Sequence, residues 1–172
     1  GLGFALKLRT DRPETIGLTS AANVEALAAQ GIYDRVVSYD QIMTLNASTP
    51  AALVDMAGNG AVTRTVHSHF GGQLQASIVV GKSHWDAQAD GEGLPGPERQ
   101  GFFAPGRSQK RIADWGGVAF GQKIAEAWLA FMDVAPRLTS VDKRSGGDAA
   151  LAAYREMLSG QADPAKGIVV VP

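Results

Sequence analysis

The residues suited to chemistry fall into three sets. The first is Gly58-Asn59-Gly60, a tight turn between an apolar run and an amphipathic segment. Gly58 and Gly60 reach backbone angles closed to other residues and leave room for another group to come close. The second is Thr19, Ser20 and Asn23, hydrogen-bonding side chains without negative charge at the end of a short apolar stretch. A Rossmann strand that binds NAD usually ends in an acidic residue holding the ribose hydroxyls, and NADP sites avoid that charge. Ser20 is also a good helix N-cap, a role that does not exclude a phosphate at the same place. The third is His84-Trp85-Asp86, directly after the apolar Ile78 to Val80 and Gly81. There His84 has the chemistry of a proton donor or of a hydrogen-bond partner to substrate or cofactor. The competing reading makes Trp85 a loop anchor and His84 a bystander.

Other candidates are weaker. His67 and His69 lie two apart on a helical segment, face different directions and are expected to be solvated surface histidines, with no shared metal. Arg107, Lys110 and Arg111, near Asp114 and Trp115, form a basic helical patch. It reads as a solvated face with local ion pairs ahead of an anion site. Gly58-x-Gly60 resembles a truncated dinucleotide fingerprint, but Thr63 holds the third glycine position and Lys82 follows the next strand where an acidic residue would be needed. The Gly58–Gly60 turn also has a purely geometric explanation as a strand-to-helix connection.

The elements that must position these residues follow from pattern. Thr15 to Thr19 reads as a buried strand and Ala21 to Gln30 as a helix with Val24, Leu27 and Ala28 on one face, ended by Gly31. Tyr33 to Tyr39 holds a β-branched strand core, and Asp40 to Leu45 a single helical turn. Leu53 to Met56 is the central strand, followed by a helix over Val62 to Phe70 and a strand over Leu74 to Val80. Ser83 to Gln100 is broken by Gly91, Gly93, Pro95, Gly96 and Pro97 and reads as a long surface loop. Val118 to Met132 is a helix with Ile124, Ala127, Trp128 and Phe131 as its apolar stripe. Leu138 to Val141 is a candidate strand, Asp148 to Leu158 a helix and Gly167 to Val171 a last strand. Strands alternating with helices predict an α/β fold with a doubly wound parallel sheet.

Composition narrows the function classes. The chain has 172 residues, 45% hydrophobic and 19% charged, which is globular. Lys+Arg 16 against Asp+Glu 17 gives a net charge of -1, with no general attraction to nucleic acid or an acidic membrane. Cysteine is absent, which excludes disulfides and thiolate-bound metal. With no run of membrane-spanning length, the expected location is the cytoplasm.

Taken together, these segments resemble a bacterial family of unknown function related to the medium-chain dehydrogenase/reductase superfamily. The matching stretches are Gly17-Leu18-Thr19-Ser20-x-x-Asn23, Tyr33-Asp34-x-Val36-Val37-x-Tyr39-Asp40 and Val54-Asp55-Met56-Ala57-Gly58-Asn59-Gly60. Val80-Gly81-x-x-His84-Trp85, Phe102-Phe103-Ala104-Pro105 and Lys110-Arg111-x-x-Asp114-Trp115-Gly116 complete the set. The resemblance implies a nicotinamide-binding Rossmann domain without zinc, closest to the quinone-reductase branch. Residues 1–172 would be one partial Rossmann-like domain, and 138–172 the closing segment that returns to a catalytic domain. The Gly58 turn would follow the fourth strand, and Gly1 to Arg9 would be the helix after the first.

The amino-terminal catalytic domain, first strand and phosphate loop have no counterpart in the sequence, so the chain is expected to be a fragment without turnover. Thr19, Ser20 and Asn23 would hold the phosphate-bearing adenosine end of NADP(H). Ala57, Gly58, Asn59 and Gly81 would border the cofactor, and His84 and Trp85 a small-molecule carbonyl, enone or quinone. The alternative is a non-catalytic Rossmann-like nucleotide-binding or association module. Self-association is expected through Leu74 to Val80 or through the segment near Phe102 and Phe103.

Overall fold

The computed structural model describes residues 1–81, 93–160, 162–163 and 165–172; His84 and Trp85 lie outside the described residues. The elements begin with helix α1 (Leu2–Lys7), strand β1 (Ile16–Thr19), a 3-10 turn (Ala21–Asn23) and α2 (Val24–Ala29). Strand β2 (Arg35–Ser38), a 3-10 turn (Tyr39–Thr44), β3 (Ala51–Asp55), α3 (Gly60–Phe70) and β4 (Leu74–Val79) follow. Then come β5 (Arg99–Gly101), α4 (Ala104–Trp115), α5 (Gly117–Met132) and α6 (Ala135–Leu138). The chain closes with β6 (Ser140–Ser145), α7 (Gly147–Leu158) and β7 (Lys166–Val171).

Among the described residues every pairing is parallel, in three sheets: β1-β2, β3-β4-β5 and β6-β7. Parallel pairs require a crossover segment between strands, and most of these crossovers carry a helix, such as α2, α3 and α7 here. The architecture is a Rossmann-like α/β fold. Among the described residues β1 and β3 do not pair with each other, so each ends its sheet with one free edge.

The core forms where the first two sheets meet. Ile42, Val66 and Leu74 are buried, and Leu18 of β1, Tyr39, Ala51 and Leu53 of β3, Val62 and Phe70 pack against them. Burying one such aliphatic side chain contributes about 1.5–3 kcal/mol. Leu18 therefore ties the β1-β2 pair to the β3-β4-β5 sheet through side chains alone. The Tyr33 ring fills the space beside two glycines: a Cβ on Gly17 would lie 2.9 Å from it, and one on Gly3 would lie 3.1 Å away. This close approach docks α1 over the β1-β2 pair. Lys7 Nζ donates to the carbonyl of Gly31, and Phe4 meets Phe131 edge to face at 5.8 Å.

Several expectations are corrected. The helix expected over Ala21 to Gln30 opens as a 3-10 turn. The long loop contains β5, a three-residue edge strand of Arg-Gln-Gly too short and too polar to show alternation. Leu138 ends α6 instead of starting a strand, and β6 runs further than expected. The stripe on α5 is not core: no residue of α5 is buried, and Ile124 and Trp128 are 55% and 61% exposed. Strand β4 lies between β3 and β5, and β5 pairs with it only over Ser77 to Val79.

Near the start of the chain, Asp34 fixes β1 against β2. Its carboxylate accepts from both terminal nitrogens of Arg12, from Thr15 N–H at 2.8 Å and from the Thr15 hydroxyl at 2.9 Å. The Arg12 guanidinium, first, and then the Thr15 donors hold this carboxyl well below the ordinary carboxylate range. A carboxyl depressed in the folded state stabilises above its unfolded pKa, and that contribution is lost as pH falls through the folded value. The urea midpoint should therefore fall between about pH 5 and about pH 2, and the fall should be smaller in Asp34→Asn. Identical acid limbs for the two proteins would show that the cluster is unimportant.

Candidate functional site

The carboxyl ends of β1 and β3 carry most of the residues singled out above. They belong to different sheets that share one core, and they are built in opposite ways.

At β3 the polar groups are turned inward. Asp55, the last residue of the strand, is buried. Its Oδ1 accepts from Ala57 N–H at 3.1 Å and Gly58 N–H at 2.7 Å, folding the chain back on itself. Its Oδ2 accepts from the Thr63 hydroxyl at 3.2 Å and from Arg99 Nη2 at 3.1 Å. One carboxylate thus joins the end of β3, the turn, the first turns of α3 and the edge strand β5. Gly58 sits at φ 70°, a conformation that favours glycine. Asn59 is the N-cap of α3, its side chain accepting from Ala61 N–H and Val62 N–H. The carbonyl of Asp55 accepts from Val80 N–H at 2.9 Å, and a Cβ on Gly81 would stand 2.9 Å from the Met56 carbonyl. Gly81 is therefore small because β3 and β4 converge there. The structure brings Ala57, Gly58, Asn59 and Gly81 together through hydrogen bonds and close contacts within the chain.

At β1 the polar groups are uncommitted among the described residues. Thr19 and Ser20 are half-buried and Asn23 is exposed. Ser20 occupies the N-cap position with extended backbone, yet its side chain makes no capping hydrogen bond. Asn23 stands at the junction of the 3-10 turn with α2 and also makes no side-chain cap. The expected capping role of Ser20 is thus overturned, although its extended backbone is that of an N-cap. Three neutral hydrogen-bonding side chains are left around one strand end.

The two histidines of α3 are structural. His67 is fully buried: Nδ1–H donates to the Pro95 carbonyl at 2.8 Å and Nε2 pairs with the Ser77 hydroxyl at 2.9 Å. His69 Nε2 meets the Leu45 carbonyl at 2.8 Å. Both were expected in solvent, and instead they fasten α3 to β4 and to two loops. They do point different ways, as their spacing requires. Among the described residues no cluster of three metal-ligating side chains occurs, and no helix is long and apolar enough to cross a membrane. In the basic patch, Lys110 and Arg111 share Asp114, and Arg111 lies 4.9 Å above the Trp115 ring.

Sequence reasoning passed over the Asp55–Arg99 pair. An aspartate closing a strand before Gly-Asn-Gly is a readable signal for a carboxylate that clamps the turn; Arg99, within a stretch read as loop, gave none. Removing one partner of a buried ion pair costs about 3–5 kcal/mol because the other charge is stranded. Asp55→Asn keeps an oxygen for the turn N–H groups and strands Arg99, so urea denaturation should show a loss of that order. Adding Arg99→Met should recover part of it. An unchanged midpoint in the single variant would exclude the clamp.

No curated protein and no solved structure matches the chain. A family model described as "Protein of unknown function (DUF2855)" matches residues 1–163. The chain belongs to this uncharacterised family.

Proposed function

We propose that the chain is the cofactor-binding part of a zinc-independent, NADP(H)-dependent oxidoreductase acting on a carbonyl, enone or quinone. The observation that carries this reading is the end of β1. There Thr19, Ser20 and Asn23 are free of side-chain hydrogen bonds among the described residues, and no carboxylate stands among them. Neutral donors at this position suit a 2′-phosphate, whereas a carboxylate would suit ribose hydroxyls and repel phosphate. Two groups of parallel strands on a shared core supply the α/β setting in which ligands bind beyond the carboxyl ends of strands.

The residues present fit one end of the cofactor better than the other. Thr19, Ser20 and Asn23 would hold the adenosine phosphate. Ala57, Gly58, Asn59 and Gly81 would shape the neighbouring wall, without donating the Ala57 and Gly58 N–H groups already bound to Asp55. The nicotinamide ring, when bound, supplies the hydride chemistry. His84 and Trp85 remain the candidates for contact with substrate, with His84 as proton donor.

A second reading, a nucleotide-binding or association module without catalysis, is favoured by the apolar surface of α5. Val118, Trp128 and Leu129 are 79%, 61% and 65% exposed there, an arrangement typical of a surface covered by a partner. A homo-oligomer would cover it.

Titrating NADPH and NADH into the protein separates these readings. NADPH should bind more tightly, and Ser20→Asp should reverse the preference by about tenfold or more, the scale of one charge-assisted hydrogen bond gained or lost. Equal affinities, or a Ser20→Asp variant with unaltered preference, would reject the assignment. Binding without quinone-dependent NADPH oxidation would favour the module.

A further inference from the structure

The pattern of α4 runs against its position. A helix beside a sheet and a second helix normally turns apolar residues toward them. On α4, Arg107, Ser108 and Arg111 occupy one face, at spacings of one, three and four residues that keep them adjacent. That face borders a groove of about 490 Å³ between α4, α5 and the sheet. Opposite, Phe120 and Ile124 of α5 make an apolar wall one helical turn long, and Ile78 of β4 and Phe102 make an apolar floor. The helix therefore lines the groove with two exposed guanidinium groups.

The charges there are not balanced from within. Among the described residues no carboxylate lines the groove. Among the described residues Arg107 makes no ion pair, and Arg111 shares its one partner, Asp114, with Lys110. Lys110 and Arg111 thus divide one carboxylate between them. The stacking of Arg111 over Trp115, with Lys123 approaching the same ring at 5.3 Å, holds positive charge at this end of the helix. The volume lies within the roughly 300–1,000 Å³ of small-molecule sites, which are lined mainly by apolar side chains with a few polar groups fixing orientation.

We propose that this groove binds a small amphiphilic carboxylate. Its head lies between Arg107 and Arg111, with Ser108 donating a further hydrogen bond, and its aliphatic or aromatic body lies against Ile78, Phe102, Phe120 and Ile124. Guanidinium groups suit a carboxylate because paired N–H donors match its two oxygens. The apolar walls select against small hydrated anions, and the arginines select against neutral or cationic ligands of the same shape. The site is separate from Thr19, Ser20 and Asn23, and it stands whether or not the nucleotide reading does.

The test is calorimetric titration of the whole chain with sodium octanoate, with octylammonium chloride and sodium acetate as comparators. Arg107→Gln/Arg111→Gln alters only exposed positions, and its fold is checked by circular dichroism; Ile124→Asp, also exposed, places a carboxylate against the apolar wall. Octanoate should bind while acetate and octylammonium do not. The double variant and Ile124→Asp should each weaken it at least about tenfold, the scale of a lost charge-assisted contact. Ser20→Asp should leave octanoate affinity unchanged, which keeps this result distinct from the nucleotide titration. No heat with octanoate, equal binding of octylammonium, or full affinity in the double variant would overturn the proposal.

Discussion

The described structure depends above all on where one buried negative charge finds its partners. Asp55 ends β3, and a carboxylate there cannot be left without donors. It takes two from the turn that follows, one from α3 and one from Arg99 of β5. The direction in which α3 leaves the sheet, the tightness of the Gly58 turn and the attachment of a three-residue edge strand all follow. The short β5 has little backbone pairing of its own, and Arg99 adds a side-chain bond to its ladder with β4.

That clamp also separates two ways of ending a parallel strand. At β3 the donors a ligand would use are consumed by the protein, and the glycines serve close packing and turn geometry. At β1, four residues of strand give way to a 3-10 turn, and Ser20 and Asn23 make no side-chain cap there. A site for an outside molecule is better sought where hydrogen-bonding capacity is left over than where a glycine pattern looks familiar. By the same logic the arginine-bearing face of α4 stands out, because its charge exceeds what its neighbours neutralise.

The alternation of strand and helix was legible because local patterns are strong in short apolar strands such as Ile16–Thr19 and Leu74–Val79. Gly31, expected to end a helix, does adopt a positive φ of 60°. What escaped notice depended on distant partners. His67 looks like a surface residue until Ser77 and Pro95 are seen to meet its two nitrogens. The apolar stripe of α5 follows helical spacing faithfully, but spacing says only that one face is apolar, not that something in the chain covers it. Thr19, Ser20 and Asn23 were identified by type alone, and the structure adds that Ser20 does not cap. Arg99 had no local signal, since a lone arginine in a Gly- and Pro-rich stretch resembles any surface charge.

The grouping of strands bears on how the chain reaches this state. Every described strand hydrogen-bonds only to its sequential neighbour, so no ladder spans more than one crossover. Closing a short loop costs less chain entropy than closing a long one, and topologies built from nearby contacts fold faster than those awaiting distant ones. The β1-β2 and β6-β7 pairs can each assemble without the other, leaving the meeting of Leu18 with Ile42, Val66 and Leu74 as the long-range event that joins the first two sheets. Among the described residues those two sheets share side-chain packing and no backbone ladder, so their cooperativity is carried by the packing.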